Sequence, residues 1–219
     1  MSNTEAGGQN RRRKSQQAFK VALCRLLTEK PLRAVRVKEI CALADYSHMA
    51  FYSNYPDKYA LAEAVMEDEA EFVAGCVCDL MRLMAAEGCE NRDEAVPECL
   101  ARFFRHAQEN PEIYRCITRQ LLLPDDLLPF SNRTAVHVRR YVRMDYNQSE
   151  NGLQSRIDEY FDWWLKLLML ELSLMVRFWL ERGCDVPAGE VAHLCVVSRS
   201  KWIGSVTDNG DGTYVLHRR

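Results

Sequence analysis

Apolar side chains recur along most of this chain at helical spacing. Phe19, Ala22, Leu23, Leu26 and Leu27 fall at i, i+3, i+4, i+7 and i+8, one face of an amphipathic helix, and Pro31 bars its continuation. Val37, Ile40, Cys41 and Ala44 repeat the spacing in a shorter helix that ends near Asp45-Tyr46, where Asp accepts a left-handed turn at modest cost. Ser47 is placed to cap a third helix, His48 to Tyr55, because its hydroxyl can accept from the free N–H groups of the first turn. Pro56 closes that helix. Asp57 caps a long fourth one, whose apolar face follows Leu61, Val65, Phe72 and Cys76.

Beyond the Gly88–Arg92 break, helical patterns occupy 93–109, 111–122, 130–148, 153–182 and 187–203. Asn110-Pro111, the Pro124–Pro129 loop, Asn151-Gly152 and Gly183–Pro187 separate them. The expected fold is therefore all-α, with an N-terminal three-helix domain joined by a long helix to a C-terminal helical bundle. Its expected divisions are a flexible basic arm (1–14), a first domain (15–60), a second domain (61–203) and a tail (204–219). In the tail, Ser205–Val206 and Thr213–Val215 form either a small hairpin around Asn209-Gly210 or a disordered end.

Charge sharpens the picture. Through Lys58 there are eleven Lys/Arg against five acids (Glu5, Glu29, Glu39, Asp45, Asp57), a surplus of +6 in a chain of net charge −2, so the remainder carries −8. A basic end on an acidic body marks a localised polyanion-binding surface. The nine cysteines are odd in number and scattered through helical patterns, which fits reduced thiols in a cytoplasm rather than a disulfide framework. Cys76 and Cys78 point to different helix faces, and no further Cys or His pair completes a zinc set, so neither a metal nor a cofactor is expected. No signal peptide opens the chain. The most apolar stretch, Trp163–Leu180, is interrupted by Lys166, Glu171 and Arg177, so it reads as a buried or dimer-packing helix and not a membrane span.

Two short helices joined by a tight turn, the second opening on a small polar cap, make a helix-turn-helix candidate. Helix 37–44 can lie across a nucleic-acid backbone, and helix 47–55 is short enough to enter the major groove, where base edges carry distinguishable donor and acceptor patterns. Ala50 and Phe51 face inward; His48, Met49, Tyr52, Ser53 and Asn54 face outward.

At this point a family resemblance emerges. Val37-Lys38-Glu39-Ile40-Cys41 through Phe51-Tyr52-Ser53-Asn54-Tyr55-Pro56-Asp57-Lys58-Tyr59-Ala60-Leu61 resembles the tetracycline-repressor (TetR) family of transcriptional regulators over about residues 15–65. The resemblance implies phosphate contacts from Tyr52 and Lys58, base-facing roles for His48 and Met49, and a DNA-facing cap at Ser47. Arg36 stands where Thr is common, and its guanidinium can reach a phosphate directly. Asp45 replaces the usual Gly of the turn. Arg11–Lys14 resembles the family's basic leader.

The resemblance further implies a homodimer on a pseudo-palindromic operator of double-stranded DNA, with 153–182 and 187–203 as the dimer helices. It also implies a small-molecule effector acting through the long fourth helix, with His106, Tyr114, Arg119, His137 and Trp163 as candidate pocket residues. Pro111-Glu112-Ile113-Tyr114 and Phe178-Trp179-Leu180-Glu181-Arg182-Gly183 resemble a subgroup akin to dihydroxyacetone-kinase regulators, which implies an activator or a degenerate pocket. Two other classes compete. One is a helical protein-interaction module with degenerate DNA binding. The other is a Cys–His hydrolase, against which stands the lack of a Gly-rich nucleophile turn or a His-x-x-x-His pattern, so no enzyme is expected.

Overall fold

The computed structural model describes residues 3–85, 92–120, 130, 132–138, 151–200, 205–208 and 214–217. In chain order the elements are α1 (Asn3–Glu29), a 3-10 turn (Leu32–Ala34), α2 (Val37–Ala44), α3 (His48–Asn54), α4 (Lys58–Ala85), α5 (Arg92–Glu109), α6 (Pro111–Gln120), a helical stretch α7 (132–138), α8 (Asn151–Glu181) and α9 (Ala188–Ser200). The fold is all-α, closed by a terminal hairpin of β1 (Ser205–Asp208) and β2 (Tyr214–His217).

Two apolar clusters organise it. The first joins Phe19, Ala22 and Leu23 of α1 to Val35, Ile40, Cys41, Phe51, Tyr55 and Leu61. Phe51 is wholly buried and meets Phe19 edge-on, with ring centroids 5.3 Å apart. The second unites Cys24 of α1 with the inner faces of α4, α5, α6, α8 and α9, including Phe104, Ile113, Leu165 and Val176. Leu23 and Cys24 face different clusters, so α1 is the wall that the two share. Lys20 pairs with Asp68 and so ties α1 to α4. In the larger cluster α5 lies along α4 and α9, and α6 lies between α1 and α8. The Trp179 indole N–H donates to the Val186 carbonyl at 2.9 Å and fixes the α8–α9 corner, which Gly183 (φ 72°) and Cys184 (φ 57°) turn through left-handed backbone.

The structure corrects several expectations. Residues 3–14 of the expected flexible arm are helical: α1 begins at Asn3, and no proline interrupts it before Glu29. Asn151 and Gly152, expected to break the helical pattern, are themselves helical, the first described residues of α8. Of the two alternatives for the tail the structure takes the hairpin, with a register that pairs Ser205 with His217 and Asp208 with Tyr214. Residues 121–122, 139–148 and 201–203 of the expected helices, the Pro124–Pro129 loop, Gly88 to Asn91 of the expected break and the Asn209–Gly212 turn lie outside the described residues. No described helix is long and apolar enough to cross a membrane. The eight cysteines among the described residues are free thiols.

The shared wall makes a direct prediction. Phe51→Ala removes the ring that seats α3 on α1 and is expected to cost about 3–5 kcal/mol of unfolding free energy, measured by urea denaturation. A loss below about 1 kcal/mol contradicts this packing account.

Candidate nucleic-acid interface

Local chemistry shapes α2 and α3. Arg36 occupies the N-cap of α2, where its side chain has no acceptor to offer. The cap is closed from the other side: the Glu39 carboxylate accepts the Arg36 N–H at 2.8 Å and the Lys30 ammonium at 2.7 Å. Lys30 foremost, then the Arg36 N–H, holds the Glu39 carboxyl below the usual carboxylate range. At the other end Asp45 sits in the left-handed region (φ 59°, ψ 44°), so the chain reverses without glycine. Ser47 then caps α3 as its position predicts, its hydroxyl accepting the Ala50 N–H at 3.1 Å. Asp57 accepts the N–H groups of Tyr59 and Ala60, each at 2.8 Å, and starts α4.

The result is a short helix with an anchored back and an open front. Phe51 is buried and Tyr55 nearly so; burial first, then Asp68, pushes the Tyr55 hydroxyl up to about 12, against the opposing pull of Arg12. On the front, His48 and Ser53 are exposed, Met49 is 83% exposed and Tyr52 57%, with the Tyr52 ring edge-on to Phe51 at 5.4 Å. Arg36 and Ser47 are exposed on the same helix pair.

Two predicted contacts are otherwise engaged. Asn54 was expected outward, yet it is only half-exposed: its amide donates to the Ala50 carbonyl at 2.7 Å and to Ser15 Oγ at 3.4 Å, so it turns toward α1. Its Oδ1 is buried with no hydrogen-bond partner among the described residues. Lys58 donates to the carbonyls of Arg33 (2.9 Å) and Val35 (2.7 Å) and lies 5.2 Å from the Tyr59 ring centroid. It clasps the 3-10 turn and retains one ammonium N–H for another acceptor.

Sequence reasoning placed Arg11–Lys14 on a leader but not beside α3. All four are exposed on α1, and Arg11 and Arg12 line an open groove of about 420 Å³ together with Ser15, Tyr46, Ala50, Ser53 and Asn54. The signal that could have found them is the helical phase from Phe19 back to Arg12 and Ser15, once α1 is known to start so early.

The five candidate effector residues do not converge. His106 stacks on Phe72 (centroids 3.8 Å apart) and reaches Glu69 at 3.0 Å; Tyr114 lies edge-on to it at 5.7 Å. Burial, then Glu69, pushes the Tyr114 hydroxyl well above its usual range, and among the described residues that hydroxyl has no hydrogen bond of good geometry. His137 is buried against Glu67 at 2.9 Å, Arg119 donates to the Thr28 carbonyl at 2.9 Å, and Trp163 is exposed on α8. The gap beside Tyr114, enclosed by Phe103, Phe130, Met169 and Val176, holds about 10 Å³, room for a single water at most.

Two measurements check these caps. Ser47→Ala is expected to cost about 1 kcal/mol in chemical denaturation, because one N–H of α3 loses its acceptor; no loss contradicts the cap. A carboxyl-detected NMR titration is expected to place the Glu39 midpoint below the usual Glu range, and Lys30→Met to raise it. Because the folded value is depressed, the contribution of Glu39 is present above the ordinary value and is lost as pH falls through the folded one.

Among solved structures, the chain is similar to a tetR-family transcriptional regulator from Streptomyces coelicolor at 17% identity and a TM-score of 0.47, covering 90% of this chain and 80% of that one. It is also similar to the TetR family repressor AlkX from Dietzia sp. strain DQ12-45-1b, implicated in biodegradation of n-alkanes, at 16% identity and a TM-score of 0.44, covering 83% of this chain and 91% of that one. No protein-family model matches the chain, and no curated protein matches it.

Proposed function

We propose that this chain is a DNA-binding transcriptional regulator of the TetR type, working in the cytoplasm as a homodimer on a pseudo-palindromic operator. One observation carries the reading: α3 projects His48, Met49 and Tyr52 into solvent while Phe51 locks its back to α1. In this reading residues 15–60 are the DNA-binding domain, extended by the helical leader, and 61–203 carry dimerisation and effector response. His48 and Met49 face base edges in the major groove. Tyr52, Ser53, Ser47 and Arg36 meet phosphates, which give affinity and register without reading sequence. Asn54 and Lys58 support this surface from behind, and the free N–H of Lys58 completes a phosphate contact.

The dimer reading rests on α8 and α9. Trp163, Leu167 and Phe178 are exposed at spacings of four and eleven residues, one face of α8, and Leu194 is exposed on α9. A second copy that covers these side chains forms a two-fold interface. Two copies of α3 then lie about 34–36 Å apart in the simplest case, one turn of DNA. An effector changes operator affinity only through its differential affinity for two spacings of those helices.

The clasped Lys58 favours one competing reading, a helical protein-interaction module with degenerate DNA binding. Selection of bound fragments from genomic DNA, followed by gel shifts, decides between them. Tyr52→Ala is expected to weaken binding to all duplexes alike. His48→Ala is expected to weaken the selected operator by about tenfold while leaving generic duplex nearly unchanged. Wild-type affinity that does not fall with rising salt rules out the regulator reading. Phe178→Glu is expected to convert the dimer to a monomer in sedimentation; an unchanged mass places the interface elsewhere.

A further inference from the structure

We infer that the groove where the last turns of α1 and α8 meet α6 along its length binds a small multivalent anion, a compound presenting two or more phosphate or carboxylate oxygens. The groove has a volume of about 350 Å³ and is lined by Thr28, Glu112, Arg115, Arg119, Arg177 and Glu181, together with Thr118. That volume is in the range of small-molecule sites.

The charges in it do not balance. Glu181 is engaged by Arg177 at 2.8 Å. Glu112 has two guanidiniums on it, Arg25 at 3.4 Å and Arg115 at 3.7 Å. Among the described residues Arg119 has no carboxylate partner, and its guanidinium donates to the Thr28 carbonyl at 2.9 Å. Three guanidiniums, Arg115, Arg119 and Arg177, line the groove with these two carboxylates, and Arg25 reaches Glu112 from outside the lining, so four guanidiniums are set against two carboxylates. The C-terminal ends of three helices offset at most about 1.5 charges, at roughly half a charge each, and their effect falls off within a turn. A positive remainder stays in a recess with planar N–H forks still open, the arrangement that holds anionic oxygens bidentately.

The position gives the site a consequence. The Arg119–Thr28 hydrogen bond joins α6 to the last turn of α1, just ahead of the 3-10 turn that Lys58 clasps. An anion that draws the Arg119 guanidinium toward itself competes with the Thr28 carbonyl and loosens the end of α1. Bound anion therefore lowers DNA affinity, a consequence that rests on the proposed function; anion binding itself does not.

Calorimetric titration of the full-length protein with inorganic phosphate and, separately, citrate tests the site, with sodium chloride at matched ionic strength as the control. At least one of the two is expected to bind. Arg119→Gln is expected to weaken binding by about tenfold or more, the loss of one charge-assisted contact. Glu181→Gln, which frees Arg177 from its carboxylate, is expected to tighten it, a gain that a merely structural role does not produce. Binding of phosphate but not citrate, or the reverse, distinguishes a phosphoryl ligand from a carboxylate one. No heat beyond the chloride control with either probe overturns the site. So does equal affinity in wild type, Arg119→Gln and Arg177→Gln. In parallel gel shifts, anion binding by a protein that holds no duplex leaves the site standing and removes the regulator reading. Anion binding with an unchanged operator affinity overturns the coupling through Thr28.

Discussion

The edge-on contact of Phe51 with Phe19 is the interaction on which the rest depends. A seven-residue helix such as α3 has too few internal hydrogen bonds to persist alone. It persists because one fully buried ring seats it against a helix of 27 residues, and because Ser47 and the Tyr55 N–H close its two ends. With the back fixed, the front is free to be polar and exposed. Any surface function of His48, Met49 and Tyr52 inherits its geometry from that one aromatic pair.

The same helix α1 transmits that geometry outward. Leu23 faces the small cluster, Cys24 faces the large one, and Lys20 reaches Asp68 on α4. The acidic stretch of α4 is held from several sides: Arg133 pairs with Glu63, His137 with Glu67 and His106 with Glu69. These contacts give the larger apolar cluster a grip on the helix that leads out of the smaller one. The core around Tyr114 has almost no free volume, so among the described residues room for a small molecule lies in grooves between elements.

What the sequence made legible was local. Ser47 as a cap, Asp45 in a left-handed turn, Asp57 at the start of α4 and Phe51 as core all follow from chemistry within four residues, and each stands where its pattern places it. Contacts between distant segments were not legible. Lys58 binds carbonyls 23 and 25 residues earlier, and Asn54, which its helical phase set outward, bonds to Ser15. His106 and Tyr114 meet because α4, α5 and α6 pack together, while His137, Arg119 and Trp163 lie on other faces that aromatic content alone could not separate. The leader looked flexible because its residues are polar, yet polarity around a helix does not prevent its extension.

The central claim is that the exposed front of α3 is the surface that meets DNA. Two-dimensional NMR of the protein, labelled at Met and His and titrated with a duplex recovered by genomic selection, tests it most directly. The account predicts that Met49 and His48 resonances shift first and most while those of His193 on α9 stay in place. Shifts confined to α9, or none near α3 at saturating duplex, contradict it.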